Sequence, residues 1–368
     1  AMWRAPNIYL DISQLHVRDS LGLFTEEFGS ERILFGIGPK QQYGASLAAL
    51  AHSSLTEDQI ENISHKNLER LLKIEPVTKR LASRPLILDE KPLWNAIRTG
   101  KPIVGTEIID AHGHTPPHTR GWIIREQTLY GGSDELINTM DRLGVDKIIL
   151  SPEAALFGDN LPGNRQGNEL FIDPKYKGRF YGYLVYNPLY ENDMVPELDN
   201  FFSSGNFVGF KVLPDYWRIK ISDPRLNIVW EYANKHHLPT LIHYFEGGNY
   251  TTAKELDQIA SSYPNAVLIL GHSGGSGNGR ISAEELAIKH ENVYLEFCGS
   301  FMSERLYETT LQVAGKHKIL FGSDAVAHDL AWELGRYLSM PIPDSELTPG
   351  LAENFRRIVS ASKLKLNI

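Results

Sequence analysis

Short apolar runs alternate with helical patterns along this chain from residue 107 onward. A strand that alternates with a helix indicates a parallel βαβ unit, because parallel strands need a crossover connection. The predicted strands are Glu107–His112, Lys147–Ser151, Phe180–Tyr186, Val208–Leu213, Thr240–Tyr244, Ala266–Gly271, Val293–Phe297 and Ile319–Gly322. The predicted helices are Asp134–Leu143, Glu197–Phe202, Arg225–His236, Ala253–Ser261, Ser282–Lys289, Ser303–Val313 and Ala331–Leu338.

Eight such units over about 250 residues predict an α/β protein of the closed (β/α)8 type, a TIM barrel. The alternative is an open doubly wound sheet, which usually carries a glycine-rich loop after its first strand. Here the first strand runs into His112-Gly113-His114 and then two prolines. We therefore expect a barrel over residues 105–368.

The N-terminal residues repeat part of the barrel sequence. Three stretches match in order, at offsets that grow from 285 to 287 residues: 7–11 with 292–296, 33–36 with 319–322, and 67–70 with 354–357. We interpret residues 1–75 as a degenerate partial repeat of the C-terminal quarter of a second such barrel, the tail of a preceding domain. It should pack on the outside of the barrel or pair with another chain, because two strands alone leave unpaired edges. Residues 76–104, which contain four prolines, form a connector.

The amino-acid composition limits the classes of binding partner that this protein can have. A net charge of -8 argues against a nucleic-acid surface, which would need a basic field. No run of about 18 apolar residues is present, so no membrane partner is expected. A single cysteine, Cys298, excludes an internal disulfide and a thiolate-rich zinc site, which fits a reducing compartment. We expect a cytoplasmic protein with a small-molecule substrate, and a homo-oligomer is compatible with these features.

Ionisable residues fall at the carboxyl ends of the predicted strands, where TIM barrels carry their chemistry. Asp110, His112 and His114 alternate on the first strand and should share one face. The other residues of this kind are Lys211, His243, His272 and Asp324. Three imidazoles and a carboxylate (His112, His114, His243 and Asp324) suit Zn²⁺ or another divalent ion with a position left for water.

In this scheme Asp324 takes a proton from the metal-activated water and passes it to the leaving group. His272 is placed to hydrogen-bond the substrate oxygen or the nucleophile. The role of Asp110 is open between orienting a ligand and capping its strand.

The order Asp-x-His-x-His, strand-four lysine, histidine, Gly-His-Ser-Gly-Gly and Gly-Ser-Asp resembles the amidohydrolase superfamily, in its amidohydrolase 2 branch. That branch includes metal-dependent hydrolases and aromatic-acid decarboxylases. The resemblance covers roughly residues 105–360, and residues 7–72 are similar to the last quarter of the same family. It implies metal binding by His112, His114, His243 and Asp324, and a catalytic or orienting role for His272. In some branches the strand-four lysine is carbamylated and bridges two metals; otherwise Lys211 contacts a substrate anion or pairs with a carboxylate.

Loops after the strands should set substrate specificity. The candidate substrate-binding residues are Lys211, Tyr216, Trp217, Glu246 and Arg280. The excursion from Glu153 to Arg179 is either a lid over the site or an ordinary insertion. The histidines in helical or loop stretches are expected on the surface: His118, His236, His237, His290, His317 and His328.

The sequence thus predicts a metal-dependent hydrolase that cleaves a C–N, ester or lactone bond through an activated water. A non-oxidative decarboxylase of an aromatic or unsaturated acid is the nearest alternative. A non-catalytic metal-binding or assembly protein is the second, because Asp324 aligns with Gly38 in the partial repeat and the lineage has therefore tolerated its loss.

Overall fold

Eight parallel strands form the centre of the computed structural model, which describes residues 1–18, 20–39, 42–76, 87–116, 132–275, 277–299 and 307–368. Two further parallel strands, β1 (Leu10–Asp11) and β2 (Ile33–Leu34), make a separate sheet near the N-terminus. The eight are β3 (Ile109–His114), β4 (Lys147–Ser151), β5 (Phe180–Val185), β6 (Phe207–Val212), β7 (Pro239–Phe245), β8 (Val267–Gly274), β9 (Val293–Glu296) and β10 (Ile319–Leu320). They lie side by side in chain order.

The sheet closes on itself where β10 meets β3. Asp324 N donates to His112 O at 2.7 Å, and Ala111 N donates to Phe321 O at 3.0 Å. The predicted (β/α)8 barrel is therefore confirmed, and each of its strands overlaps the predicted run. Closure also brings the residues after β10 into contact with the end of β3. This contact assembles the candidate site.

Helices cover the outside of the barrel. They are α5 (Pro92–Arg98), α6 (Ser133–Leu143), α7 (Glu153–Phe157), α8 (Asn160–Ile172), α9 (Leu198–Ser203), α10 (Pro214–Trp217), α11 (Asn227–His236), α12 (Ala253–Ser262), α13 (Asn278–Lys289), α14 (Tyr307–Ala314), α15 (Leu330–Leu338), α16 (Asp344–Thr348) and α17 (Asn354–Ser360). A π-helical turn, Pro349–Glu353, joins α16 to α17. Local sequence fixes several boundaries: a capping box of Thr252 and Glu255 starts α12, and Gly144 in the left-handed conformation ends α6.

Two apolar layers hold this arrangement together. The larger lies between the strands and the surrounding helices. The smaller fills the barrel interior with inward-facing side chains such as Ile109, Ile149 and Leu241, and α17 seals its floor with Phe355 and Ile358. The polar site therefore lies at the opposite, carboxyl end of the strands.

The excursion after β4 forms α7 and α8 rather than a lid. Asn164 on α8 donates to Val185 O at 2.8 Å and accepts from Val185 N at 3.0 Å. Asn160 makes the same kind of pair with the backbone of Asn187. These buried amides fasten α8 to the end of β5, so the excursion belongs to the helical layer.

The N-terminal segment, residues 1–76, packs on the outside of the barrel. It contains α1 (Ser20–Phe28), α2 (Tyr43–Ala51), α3 (Glu57–Glu61), a π-helical turn (Asn62–Lys66) and α4 (Asn67–Leu72). Helix α2 lies against α15 of the barrel. Among the described residues, no helix is long and apolar enough to cross a bilayer.

Candidate metal and catalytic site

Seven strands or strand ends bring ionisable side chains to one rim of the barrel. His112 and His114 alternate on β3 and therefore point to the same side. The others are Glu153 after β4, Lys211 on β6, His243 on β7, His272 on β8, Glu296 on β9 and Asp324 after β10. His112 and Glu296 are fully buried, and Lys211 and His114 are 1 % exposed. Buried charges need partners, and the contacts of each side chain identify those partners.

His112 is oriented by a carboxylate behind it. Its Nδ1 lies 2.7 Å from Glu296 Oε2 and 3.2 Å from Cys298 Sγ. In the neutral ring Nδ1 therefore carries the proton and donates it to Glu296, which leaves the lone pair on Nε2. That Nε2 accepts from Lys211 Nζ at 3.1 Å and lies 3.6 Å from Asp324 Oδ1. The Nε2 lone pair of His112 thus faces the centre of the site.

His114 lies between two other carboxylates, those of Glu153 and Asp324. Its Nδ1 lies 3.1 Å from Glu153 Oε1, and its Nε2 lies 2.8 Å from Asp324 Oδ1. One ligand atom each of His112, His114 and Asp324 can therefore lie within 4.8 Å of the others. Two imidazoles that present Nε2, each with a carboxylate behind it, and one inward carboxylate form a donor set that fits a divalent ion.

Asp324 is held in a left-handed backbone conformation, with φ +58°. Burial alone would raise its pKa, but His112, His114 and His328 hold the pKa well below its ordinary value, so the side chain is a carboxylate. The backbone is fixed next door: Asp110 accepts from Ser323 N at 3.0 Å and from the Ser323 hydroxyl. Asp110 also accepts from His112 N at 3.1 Å. It therefore fastens the β3 end to the Asp324 turn.

His272 and His243 form a pair beside this group. His272 Nδ1 donates to Cys298 O at 2.7 Å, and its Nε2 lies 3.1 Å from His243 Nδ1. Burial lowers the pKa of His272 to about 4 and that of His243 well below its ordinary value, so both rings are neutral. The expected ligand His243 falls outside the close group of His112, His114 and Asp324.

A second cluster of His112, His272, Glu296 and Cys298 is compact enough to be considered as a metal site. Its contacts favour a supporting role. Glu296 already accepts from His112 Nδ1, Cys298 N and Cys298 Sγ. Burial raises the pKa of the Cys298 thiol well above its ordinary value, so it stays protonated and is a poor ligand. These four residues orient the imidazoles from behind.

Of the five expected substrate-binding residues, two border the site, one lies at the end of β7, and two make no described contact with the site. Lys211 contacts His112, and the ring of the half-exposed Tyr216 lies 5.1 Å from that of His243, so both border the site. Glu246 accepts from Tyr244 at 3.2 Å at the end of β7. Trp217 and Arg280 do not border the cluster through any described contact. Trp217 donates to Leu156 O at 2.8 Å, and the Arg280 guanidinium is buried over the rings of Phe297 and Tyr307.

Sequence reasoning missed several residues of the site. Glu153 directly follows β4, as the other site residues follow their strands, and Glu296 is a charge inside an apolar strand; both signals were present. His328 was expected on the surface, which is wrong: its Nδ1 lies 3.6 Å from Asp324 Oδ2 and 3.7 Å from Glu333 Oε1. The loop after β10 turns inward there, and a loop's direction is not visible in sequence. His118 and residues 303–306 of a predicted helix lie outside the described residues.

A closed parallel barrel with histidines and an aspartate at the carboxyl ends of its strands defines a TIM-barrel protein with a candidate metal site. The amidohydrolase family model of the amidohydrolase-2 type matches residues 109–359. The chain therefore belongs to the amidohydrolase-2 family, as the sequence motifs predicted.

Solved structures share this fold at low sequence identity. An uncharacterized TIM-barrel protein from Bordetella bronchiseptica matches with a TM-score of 0.56 and 14% identity, over 69% of this chain and 99% of its own. A 5-carboxyvanillate decarboxylase from Novosphingobium aromaticivorans, complexed with manganese and 4-hydroxy-3-methoxy-5-nitrobenzoic acid, matches with 0.54 and 15%, over 70% and 96%. A dihydroxybenzoic acid decarboxylase from Polaromonas, with manganese and 2-nitroresorcinol, matches with 0.51 and 15%, over 70% and 97%. A comparison with curated protein sequences gave no significant match.

Proposed function

We propose that this protein is a metal-dependent, non-oxidative decarboxylase of an aromatic or unsaturated acid. The observation that carries the proposal is Lys211, a buried ammonium 3.1 Å from His112 Nε2, on the strand next to the one that carries His243. The aromatic rings of Tyr216 and Phe245 lie around His243. A fixed cation next to an aromatic wall is what a ring-bearing carboxylate requires. Two neighbours of the same fold are named as decarboxylases with bound manganese.

The donor set proposed for the ion is His112 Nε2, His114 Nε2 and Asp324, with His243 close by. The sequence favoured zinc, but a carboxylate ligand also suits manganese, so the proposal names a divalent ion only. When bound, the ion supplies a Lewis acid that polarises oxygen groups of the substrate. Lys211 donates to His112 Nε2 in this structure; if that nitrogen held the ion, the Lys211 ammonium would be available to pair with the substrate carboxylate.

The chain's own residues then carry the proton. Asp324 is a carboxylate in the free protein, so it first accepts a proton from a substrate hydroxyl or from water. It then delivers that proton to the ring carbon that bears the carboxylate. The bond between that carbon and the carboxylate breaks, its electron pair passes to the ring, and carbon dioxide leaves. Neutral His272, fixed by Cys298 O, is available to hydrogen-bond a substrate oxygen.

Hydrolysis is the second candidate function, and the Asp324 carboxylate favours it. Because Asp324 is unprotonated at rest, it can act as a general base toward a water molecule without first gaining a proton. The target would be a C–N, ester or lactone bond, as the sequence predicted.

The test separates the two reactions by their products. The protein is loaded with Mn²⁺ or Zn²⁺ and given carboxyl-¹³C hydroxybenzoates, and, separately, esters, lactones and amides in ¹⁸O-water. Mass spectrometry should detect ¹³CO₂. Lys211→Met should lower kcat/KM by about tenfold or more, because it removes a charge-assisted contact of about 1.5–3 kcal/mol. The exposed Lys220→Met is the matched control. Incorporation of ¹⁸O without ¹³CO₂ would replace the proposal by hydrolysis.

A further inference from the structure

The N-terminal segment reproduces the fold of the last part of the barrel, element by element. Helix α2 corresponds to α15, α3 to α16, the turn Asn62–Lys66 to Pro349–Glu353, and α4 to α17, each 287 residues apart. The parallel pair β1 and β2 corresponds to β9 and β10: Leu10 pairs with Ile33 as Leu295 pairs with Ile319. This correspondence supports the partial repeat that the sequence predicted.

Equivalent side chains make equivalent hydrogen bonds in the two copies. Asn67 Nδ2 donates to Ser30 O at 2.7 Å and to Ile33 O at 2.8 Å. Asn354 Nδ2 donates to Lys316 O and to Ile319 O, both at 2.7 Å. The guanidinium of Arg70 reaches Glu31 O at 2.8 Å, and that of Arg357 reaches His317 O at 2.7 Å. Each acceptor in one copy lies 286 residues from its equivalent in the other.

The partial copy also docks through equivalent surfaces. Ala48 on α2 and Gly335 on α15 occupy equivalent positions, and they touch: a Cβ placed on Gly335 would lie 2.3 Å from Ala48 Cβ. Contact between a residue and its own equivalent marks a two-fold axis, as in an isologous dimer. The partial copy therefore sits on the barrel as a second subunit would in a symmetric pair.

This docking brings a histidine of the partial copy to the rim of the barrel. His16 lies in the loop after β1, and its ring meets that of His328 edge-on at 5.0 Å. Asp329 N donates to His16 O at 2.7 Å, and Trp332 borders the same ring at 6.0 Å. His16 Nδ1 lies 2.8 Å from Gln14 O, so in the neutral ring it carries the proton and the ring orientation is fixed. His328 in turn faces Asp324 Oδ2 at 3.6 Å.

We propose that residues 7–72 serve as a built-in second subunit, and that His16 is a positioning residue that holds His328 against Asp324. The catalytic consequence rests on the proposed function; the positioning does not. The edge-on contact with His16 limits rotation of the His328 ring, while the main-chain bond from Asp329 fixes the loop that carries both Asp324 and His328. Loss of His16 frees the His328 ring to turn away from the carboxylate.

Three variants test this proposal. His16→Ala removes the ring. His16→Asn keeps an N–H donor near the place of Nδ1 and should restore much of the effect. His65→Ala is the matched control, because His65 belongs to the same segment but is exposed and pairs only with Glu69 among the described contacts. Thermal unfolding is measured for all three, so that a loss of fold is not taken for a loss of positioning.

The first readout needs neither metal nor turnover. Side-chain ¹⁵N spectra of metal-free protein, with His328 assigned through His328→Gln, should show one tautomer of His328 in the parent protein. They should show averaged tautomers in His16→Ala and recovery in His16→Asn. The second readout is turnover: His16→Ala should lower kcat about tenfold or more with KM little changed.

An unchanged His328 tautomer in a folded His16→Ala protein overturns the proposal. So does an altered tautomer with an unchanged kcat in an active enzyme. If the parent protein turns over no acid, ester, lactone or amide, the proposed function fails, and the spectra alone decide whether His16 positions His328.

Discussion

At the scale of single residues, the site depends on carboxylates that stand behind imidazoles. Glu296 fixes the tautomer of His112, and Glu153 Oε1 lies 3.1 Å from His114 Nδ1. Such partners raise the basicity of a ligating imidazole and aim its lone pair. Residues that do not contact the ion therefore determine which imidazole nitrogen faces it.

We expect Glu296→Gln to weaken divalent-metal binding about 10- to 100-fold, because the neutral amide polarises His112 less and also perturbs its contacts with Cys298. Titration of Mn²⁺ or Zn²⁺ against a chelator of known affinity measures this. Glu284→Gln is the control, since Glu284 is an equally buried acid that accepts from Thr310 in the helical layer. Equal metal affinity in the two variants would refute the role given to Glu296.

The sequence revealed part of this site and not the rest, for a physical reason. Alternation on β3 and the polar residues at strand ends pointed to His112, His114 and Asp324, which the structure brings together. His243 was expected as an equal ligand but lies beside the group, because distances across a barrel depend on register and tilt. Arg280 was expected at the rim, yet it packs over the stacked rings of Phe297 and Tyr307, since a helix residue near a strand end can turn either way.

At the scale of elements, the proposed repeat provides matched pairs of positions with opposite burial. On α17, Phe355 and Ile358 seal the barrel floor and are 1 % and 2 % exposed. Their equivalents on α4, Leu68 and Leu71, are 47 % and 39 % exposed. One amphipathic helix thus buries its apolar face in one copy and leaves it half open in the other.

Ile358→Ala should therefore lower the free energy of unfolding by about 2–5 kcal/mol, through lost burial and the cavity left in the floor. Leu71→Ala, the same kind of truncation at the equivalent position, should lower it by less than about 1 kcal/mol. Urea denaturation followed by circular dichroism compares the two. A similar loss in both would mean that α4 has a buried partner in solution.

Periodicity predicted the strands well because each buried run is apolar and ends at a polar residue. The strand predicted at 180–186 is Phe180–Val185, and that at 147–151 is Lys147–Ser151. The helices α7 and α8 were not predicted as such. The sequence of α8 is rich in glycine and asparagine, which disfavour helix, and tertiary hydrogen bonds from its Asn160 and Asn164 outweigh that preference.

At the scale of the whole molecule, His52 couples pH to the attachment of the N-terminal segment. It ends α2, is 6 % exposed, and its Nε2 lies 3.0 Å from Ile97 O on α5. Burial lowers the pKa of His52 from 6.5 to about 4. The unfolded chain therefore binds the proton first, so the stability from this group is complete above pH 6.5 and falls as the pH drops toward 4.

The loss from this histidine is on the order of 3 kcal/mol across that window. His52→Gln retains an N–H donor for Ile97 O and cannot titrate, so its unfolding free energy should decline less between pH 6.5 and pH 4 than that of the parent protein. Denaturant melts at several pH values measure both slopes. Parallel slopes would show that His52 stays accessible to protons in the folded state.

The left-handed backbone at Asp324 affects how easily the proposed activity is lost in evolution. Gly38, at the equivalent place in the proposed N-terminal repeat, has the same φ of +58°. Glycine adopts that conformation freely, whereas an aspartate there costs about 1–2 kcal/mol. Replacing the acid with glycine relaxes the main chain, and the reverse exchange strains it. Loss of the aspartate at this position is therefore easier than its recovery. Once selection for turnover ends, a substitution by glycine is favoured by the backbone, and the reverse substitution is disfavoured.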